Sequence, residues 1–307
     1  LSVAMFLGKQ EVPMGASKSA NAKSNDARQA PSWQPSPEIK ALLSDHTNSI
    51  PSLGAERAIH YTEFYKKHAS RYTSAAIKKA HALAFHLEKR TIAIRNDEMI
   101  IGSHTEHRIG AICHVEFAGV AMLEDIFKFE KRKTNPLHVG SSARRQLALN
   151  VMPYWMPRNL AMKAFPFTEK ITYLVEQLNV KQFVVNEAGG IAHFLPNYER
   201  LIYEGTEGLR QEILQRRQST DLNDQQGDQL EANLIALEAL EKFSDRYRDL
   251  AQKIGRHDLV SLLENSPRKP ASTLYEALQT IWFFQMVIQI ESLDQGISLG
   301  RIDQYLY

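Results

Sequence analysis

One stretch near the end of the chain restricts the fold most: residues Leu274 to Ile290 are apolar on nearly every side of a helix. Such a helix needs other elements around it, because a helix that is apolar all round is a buried helix. Three glutamines interrupt the stretch, so it falls short of the roughly 18 apolar residues that indicate a membrane span. Thr273 and Glu276 have the spacing of a capping box, which favours a helix start there. The stretch therefore predicts a helix inside a protein core.

The composition is typical of a folded protein and gives no indication of nucleic-acid or membrane partners. The 307 residues are 43% hydrophobic and 23% charged, which is normal for a protein with a large core. Lys and Arg number 37 against 35 Asp and Glu, so no basic surplus points to nucleic acid. The single cysteine, Cys113, excludes an intrachain disulfide and the usual zinc frameworks. We therefore predict a cytoplasmic protein without nucleic-acid or membrane partners.

The chain divides into a tail and a mostly helical body. Residues 1–37 are rich in Ser, Ala, Asn and Pro without periodicity, which predicts a disordered tail, and residues 38–307 are predicted to be folded. Apolar residues at every third or fourth position predict helices over residues 70–90, 143–165 (interrupted near Pro153 and Pro157), 168–178, 206–217, 227–254 and 271–292.

One segment carries a β pattern. The stretch "TIAIRNDEMIIGSHT", Thr91 to Thr105, alternates around Asn96 and Asp97, a pair of residue types common in turns. The pattern predicts a small β-hairpin directly after the helix that ends at Arg90.

A cluster of possible metal ligands follows the predicted hairpin. The segment "SHTEHRIGAICHVEF" contains His104, His107, Cys113, His114 and Glu116, whose side chains are all of types that bind metals. Their spacing matches no known site, so ordinary loop and core roles are favoured and no metal is predicted.

A second polar cluster lies in "NEAGGIAHFLPNYERL". Gly189 and Gly190 permit close backbone approach, and Pro196 favours the start of a helix with Asn197 and Tyr198 in its first turn. His193 is either a hydrogen-bonded packing residue or part of a site, and its sequence neighbours alone leave both readings open.

Four stretches together resemble the glycyl radical enzymes related to pyruvate formate-lyase. "GGIAHFLPNYERLIYEGTEGL" resembles their GH-x-x-P-x-Y-E-x-x-L-x-x-G-x-x-G segment, and "ESLDQGISLGRIDQYLY" resembles the S-x-G-R-x-D-Q-Y-L-Y-P segment that leads into their barrel. "RTIAIRNDEMIIGSHTEHR" and "STLYEALQTIWFFQMVIQIES" are similar to a hairpin and a helix of the family. The four occur in the family's order and cover about residues 38–307.

The resemblance implies an α/β fold, namely the mostly helical amino-terminal portion of a ten-stranded β/α barrel with a small β-hairpin. It also implies a truncated chain, because the family continues after "DQYLY" through most of the barrel. The loop with the thiyl-radical Cys and the Gly that stores the radical are expected beyond Tyr307, and Cys113 does not match the catalytic Cys. The 307 residues alone are therefore expected to be inactive.

The implied chemistry requires no cofactor bound directly by this chain. In the family, a separate iron–sulfur, S-adenosylmethionine-dependent activase installs the glycyl radical. The radical then passes to a Cys thiyl, which abstracts hydrogen from a small-molecule substrate. A homodimer is expected for the full-length form.

The resemblance also implies site residues. His193 matches the His of the GH motif that faces substrate in polyol-dehydrating members, although Ala192 stands where the family has Gly. Asn197 and Tyr198, on the same short segment, are expected to take part in substrate binding and to anchor the turn. Arg301 and Asp303 are expected at the start of a barrel strand, in a structural role, and no catalytic residue is expected within the 307 residues.

The sequence leaves the substrate open. The low charge of "GGIAHFLPNY" favours an aryl or hydrocarbon substrate, as in arylacetate decarboxylases or alkyl- and benzylsuccinate synthases. The alternative within the family is a diol dehydratase, choline lyase or isethionate lyase. The alternative from another class is a non-catalytic helical scaffold or a decayed relative.

Overall fold

The computed structural model describes residues 34–95, 98–116, 125–158, 166–179, 181, 195–219, 221–292 and 296–306, and this part of the chain is mostly helical. The helical character predicted from periodicity is therefore confirmed. The predicted tail, residues 1–37, lies almost entirely outside the described residues and stays a prediction. The first described helix begins at Pro37, and the Ser36 side chain caps it.

The described elements are numbered in chain order. The helices are α1 (Pro37–Asn48), α2 (Glu56–Lys67), α3 (Ala75–Lys89), α4 (Ser141–Gln146), α5 (Met152–Trp155), α6 (Phe167–Leu178), α7 (Tyr198–Arg217), α8 (Asp224–Lys253), α9 (His257–Asn265), α10 (Leu274–Glu291) and α11 (Ile302–Tyr305), and the strands are β1 (Ser52–Gly54) and β2 (Gly110–Ile112). A π turn, Leu147–Val151, joins α4 to α5. Of the two prolines predicted to interrupt this helix, Pro153 lies at the start of α5 and has no amide hydrogen to donate, and Pro157 lies in the turn after α5 ends.

Helix α10 lies in the main hydrophobic core, as its sequence predicts. Phe283, Phe284 and Ile290 are at most 1% exposed, and α10 packs against α7, α8 and α9. The predicted capping box is present: Thr273 Oγ1 accepts from the Glu276 amide at 3.2 Å, and the Glu276 carboxylate accepts from the Thr273 amide at 3.1 Å. Even this helix, like every other in the described part of the chain, is not long and apolar enough to cross a membrane.

A second core lies between β1, α2 and the α4–α5 helix. Tyr61 and Phe64 of α2 and Trp155 of α5 are buried in it, and the Trp155 indole N–H donates to Thr62 Oγ1 at 2.9 Å. Helix α3 packs against both α2 and α8. The two cores therefore share α3 as a common wall.

The β-hairpin predicted at Thr91–Thr105 is wrong for its described arms. Residues 91–95 and 98–103 form no strand, and the turn at residues 96–97 lies outside the described residues. The sheet is instead a parallel pair formed by β1 and β2, with Gly54 opposite Ile112.

Side chains take the place of the missing hairpin ladder. The Thr91 amide donates to the Glu56 carboxylate at 2.8 Å, and the Arg95 amide donates to the Glu98 carboxylate at 3.0 Å. Backbone groups need a partner but not a strand partner, so acidic side chains satisfy these amides equally well.

Gln279 of α10 satisfies the other arm of the predicted hairpin. Its Oε1 accepts from the Ile101 amide and its Nε2 donates to the Ile101 carbonyl, both at 2.9 Å, and the side chain is fully buried. A single side-chain amide thus pairs both polar groups of one backbone residue, as a neighbouring strand would. This pair of bonds attaches the segment before β2 to α10.

We expect Gln279→Met to lower the free energy of unfolding by about 2 kcal/mol, because the side chain keeps its volume while two buried backbone groups lose their partners. Urea unfolding measures the change. The half-buried Gln285, on the same helix, provides the control as Gln285→Met, which is expected to change stability by less than about 0.5 kcal/mol. Equal effects of the two substitutions would contradict a special role for Gln279.

Helix α7 combines the helix start predicted after Pro196 with the helix predicted over residues 206–217, because it continues across a kink at Gly205. Gly205 has φ +64° and ψ −178°, a conformation that glycine adopts far more readily than other residues. The kink frees the backbone to bond the loop after α9: the Thr206 amide donates to the Pro267 carbonyl and the Glu207 amide to the Arg268 carbonyl, both at 3.0 Å. The glycine therefore fixes α7 to the segment that leads into α10.

Candidate functional site

The two motif stretches of the sequence meet in the structure. Gly300, at φ +65°, lies so close to Leu195 that an added Cβ would stand 2.6 Å from Leu195 Cδ1. The Tyr203 hydroxyl donates to the Tyr305 carbonyl at 3.4 Å. We call this contact between residues 195–203 and 300–305 the motif junction. It brings together segments that are about a hundred residues apart in the chain.

Asn197 and Tyr198 begin α7 at this junction. Asn197 is the cap of the helix, since its Oδ1 accepts from the Arg200 amide at 3.0 Å. Tyr198 is fully buried, with its ring edge-on to Phe284 of α10 at 6.3 Å between centroids. Its hydroxyl has no hydrogen-bond partner among the described residues. Both residues thus fix the start of α7, as an anchoring role requires.

His193, the leading substrate-binding residue of the sequence, lies outside the described residues, so its role stays a prediction. Arg301 and Asp303 lie at the junction, but the expected barrel strand is wrong for them: they flank the start of the short helix α11. Their side chains pair with each other at 3.0 Å, and both are more than 60% exposed. The pairing of these neighbours is compatible with a helical turn, where the two side chains reach each other.

A buried polar cluster lies at the other end of the motif segment, where α10 ends. Strands β1 and β2 are parallel, so the residues that follow them meet at the same edge of the sheet. Arg57 follows β1, and His114 and Glu116 follow β2. The register therefore explains why these three residues, separated in sequence, are neighbours.

Arg57 is the centre of this cluster. Its guanidinium binds the Glu116 carboxylate through two bonds of 2.9 and 2.5 Å, and it lies over the Tyr61 ring at 3.9 Å from the centroid. Its Nε donates to the Ile290 carbonyl at 2.5 Å. The side chain is 3% exposed, so the charge is held by paired contacts rather than by water.

The charge of Arg57 determines the protonation of its neighbours. Burial would raise the pKa of Glu116, but the Arg57 charge and its hydrogen bonds outweigh burial and lower that pKa to about 2. Burial, with Arg57 nearby, lowers the pKa of His114 to about 3. His114 is therefore neutral, and its Nε2 must carry the proton because it lies 3.0 Å from the Gln289 carbonyl, which can only accept.

The possible metal ligands predicted from the sequence lie in different surroundings. Burial raises the pKa of Cys113 to about 12, so its thiol stays protonated. His104 lies edge-on to Trp282, and with His107 it lines a cavity of about 590 Å³ that also includes Arg95, Glu98 and Arg108. Within the described part of the chain, no group of three or more His, Cys, Asp or Glu side chains is arranged to hold a metal ion.

The chain as a whole is similar to known proteins. The family model described as pyruvate formate lyase-like matches residues 31–307. The chain belongs to the pyruvate formate lyase-like family. The resemblance read from the four motif stretches is therefore confirmed.

Curated relatives match the pyruvate formate lyase-like chain over most of its length. The probable dehydratase YbiW of Escherichia coli strain K12 is 32% identical over 286 residues, which are 86% of this chain and 35% of that protein. The isethionate sulfite-lyase of Desulfovibrio desulfuricans is 25% identical over 88% of this chain and 35% of its own length. The chain thus spans about a third of the length of these relatives.

A solved structure shows the same fold. A glycyl radical enzyme from Archaeoglobus fulgidus is 27% identical, with a TM-score of 0.79 over 88% of this chain and 36% of that chain. This pyruvate formate lyase-like chain thus matches about a third of that structure, and the residues described here are mostly helical and form no barrel.

Reasoning from the sequence missed Arg57, whose partners the family fold brings together from three parts of the chain. The signal was present: Arg57 and Ala58 share the side of α2 that also carries Tyr61 and Phe64, all of them buried. A charged residue in an apolar stripe needs a buried partner, since an unpaired charge is too costly there.

Proposed function

We propose that this chain forms part of a glycyl radical lyase that acts on a small polar molecule, of the diol dehydratase, choline lyase or isethionate lyase type. The observation that carries the proposal is the chemistry of its relatives, a probable dehydratase and an isethionate sulfite-lyase. A dehydratase removes water, and an isethionate sulfite-lyase removes sulfite from isethionate, so both names describe the loss of a polar group. The relatives thus favour this alternative over the aryl or hydrocarbon substrate that the low charge around His193 suggests.

The proposal assigns roles to the motif junction. His193 contacts the substrate in the pocket, while Asn197 caps α7 and Tyr198 packs in the core, so that the turn before the helix is held in place. Direct contacts of Asn197 and Tyr198 with substrate remain predictions. The pocket belongs to a ten-stranded β/α barrel, of which residues 38–307 supply the mostly helical amino-terminal part.

The proposal also includes partners. The family chemistry depends on a glycyl radical, so an S-adenosylmethionine-dependent iron–sulfur activase is the expected protein partner, and the full-length form is expected to be a cytoplasmic homodimer. This chain binds no cofactor directly in the proposal. Its contribution is to shape the pocket and to hold reacting groups in near-attack positions.

The test uses the complete polypeptide that contains these residues, activated under anaerobic conditions with S-adenosylmethionine and a glycyl radical activase. Glycerol, 1,2-propanediol, choline and isethionate form the polar panel, because loss of water, trimethylamine or sulfite from them leaves an aldehyde in every case. One aldehyde assay therefore covers the panel. An arylacetate, followed by released carbon dioxide, and toluene with fumarate, followed by the adduct, form the comparison panel.

We expect a radical signal in electron paramagnetic resonance and aldehyde release from at least one member of the polar panel. Turnover of the comparison panel alone would overturn the polar-substrate proposal and restore the aryl alternative. A polypeptide with neither radical nor turnover would favour the non-catalytic scaffold.

A further inference from the structure

The carboxyl end of α10 has a complete set of partners. Among the last four carbonyls of the helix, Ile288 accepts from the Ser292 amide at 3.0 Å, and Gln289 accepts from His114 Nε2. The other two, Ile290 and Glu291, accept from Arg57 at 2.5 and 3.2 Å. The last carbonyls of a helix have no partner within the helix. Here side chains of two other elements provide three of the four bonds.

These bonds connect α10 to a different part of the fold. Arg57 comes from the start of α2 and His114 from the segment after β2, and their sequence neighbours Ala58, Cys113 and Val115 belong to the second core rather than to the core that surrounds α10. A positive charge beside the carboxyl end of a helix is also favourable to the helix dipole. The end of α10 is therefore fixed with respect to the parallel strand pair.

The chain that leaves this end carries the motif junction. Ile297, Ile302 and Tyr305 pack against the main core, and Gly300 lies against Leu195. Only three residues separate Ser292 from residue 296, so the position of the end of α10 limits where residues 296–306 can meet residues 195–203.

We propose that Arg57, His114 and Glu116 are positioning residues that hold the end of α10 and thereby place residues 296–306 against the segment that follows His193. Glu116 acts through Arg57, because its two bonds fix the plane of the guanidinium that reaches the Ile290 and Glu291 carbonyls. The geometry of the Arg57–Glu116 pair matters more for this positioning than its charge does. Lysine at position 57 cannot replace arginine, since an ammonium cannot bind the carboxylate in two parallel bonds and reach both carbonyls.

Two substitutions at His114 separate positioning from packing. His114→Leu keeps a buried side chain of similar bulk but removes the donor to the Gln289 carbonyl, whereas His114→Gln keeps a donor. Hydrogen–deuterium exchange of peptides covering residues 288–306 measures the local effect, and urea unfolding measures the global one. We expect exchange at least tenfold faster in His114→Leu and within about threefold of wild type in His114→Gln.

Arg57→Lys tests the centre of the cluster against a matched control. Arg268 and Asp245 form a comparable bidentate pair, with bonds of 3.0 and 2.6 Å, that joins α8 to the loop before α10 and does not touch the end of α10. Arg57→Lys is expected to speed exchange over residues 288–306 at least tenfold, and Arg268→Lys is expected to leave that exchange unchanged.

The kinetic arm of the test rests on the proposed function. In the activated complete polypeptide, kcat/KM is expected to fall about 100-fold in His114→Leu and to return to within threefold of wild type in His114→Gln, because small displacements of pocket groups cost factors of this size. Unchanged exchange over residues 288–306 in Arg57→Lys and His114→Leu would overturn the proposal, as would equal exchange in Arg268→Lys. Exchange needs no turnover, so an inactive wild type would refute the proposed function and leave this test intact.

Discussion

Replacing Gly205 with alanine is expected to destabilise the protein by about 4 kcal/mol. A side chain in the conformation of Gly205 costs roughly 1–3 kcal/mol, because φ is +64° and ψ is −178°. A Cβ there would also stand 2.2 Å from the Arg268 carbonyl oxygen, so the loop must move. Crowding of this kind adds about 1–3 kcal/mol. Urea unfolding of the purified protein measures the loss.

Gly227 provides the control within the same chain. It lies in the first turns of α8, and a Cβ added there would meet no atom within 4 Å. Gly227→Ala is therefore expected to raise the free energy of unfolding by about 0.5–1 kcal/mol, since alanine favours a helix over glycine. A Gly205→Ala protein as stable as wild type would mean that the kink of α7 does not depend on glycine.

The features predicted correctly from the sequence depend on nearby residues. The capping box of Thr273 and Glu276 spans one helical turn, and the helix periods of α3, α8 and α10 repeat within each segment. Such patterns are written in consecutive residues, so they can be read without knowing the rest of the fold.

The hairpin prediction was wrong because the residue that bonds the backbone of this segment is distant in sequence. Alternation over Thr91–Thr105 shows only that one side of the segment is buried and says nothing about which groups satisfy the backbone. The partner of Ile101 is Gln279, 178 residues away. In the sequence alone, Gln279 only interrupts an apolar helix, whereas in the structure its side chain bonds a distant backbone segment.

The candidate site could be predicted only in part, because some of its features are local in sequence and others depend on distant contacts. The motif stretches around His193 and Arg301 are local patterns, and the structure brings their described parts together at Leu195 and Gly300. Arg57 acts through the carbonyl of Ile290, 233 residues further along the chain. Only the parallel register of β1 and β2 places Arg57 beside Glu116, and that register is not encoded in either short strand alone.

His193→Ala in the activated complete polypeptide is expected to reduce kcat/KM about 1000-fold while changing the free energy of unfolding by less than about 1 kcal/mol. A histidine that positions a substrate or transfers a proton contributes factors of about 10²–10⁴ to the rate, and truncating a pocket wall removes few packing contacts. The reason to expect a pocket wall there is that His193 matches the histidine that faces substrate in the polyol-dehydrating members of the family. Steady-state kinetics and urea unfolding of the same preparation give the two numbers.

Tyr198→Phe tests the substrate contact predicted for Tyr198, because it removes a single hydroxyl five residues further along the same segment. The Tyr198 side chain is buried against Phe284, and its hydroxyl has no hydrogen-bond partner among the described residues, so phenylalanine is expected to change the free energy of unfolding by less than about 1 kcal/mol. A large kinetic loss in Tyr198→Phe would place this hydroxyl at the substrate, and unchanged kcat/KM would make Tyr198 a packing residue. Full activity of His193→Ala with a lowered melting temperature would make His193 a packing residue, and the motif junction would then act on the reaction through its shape alone.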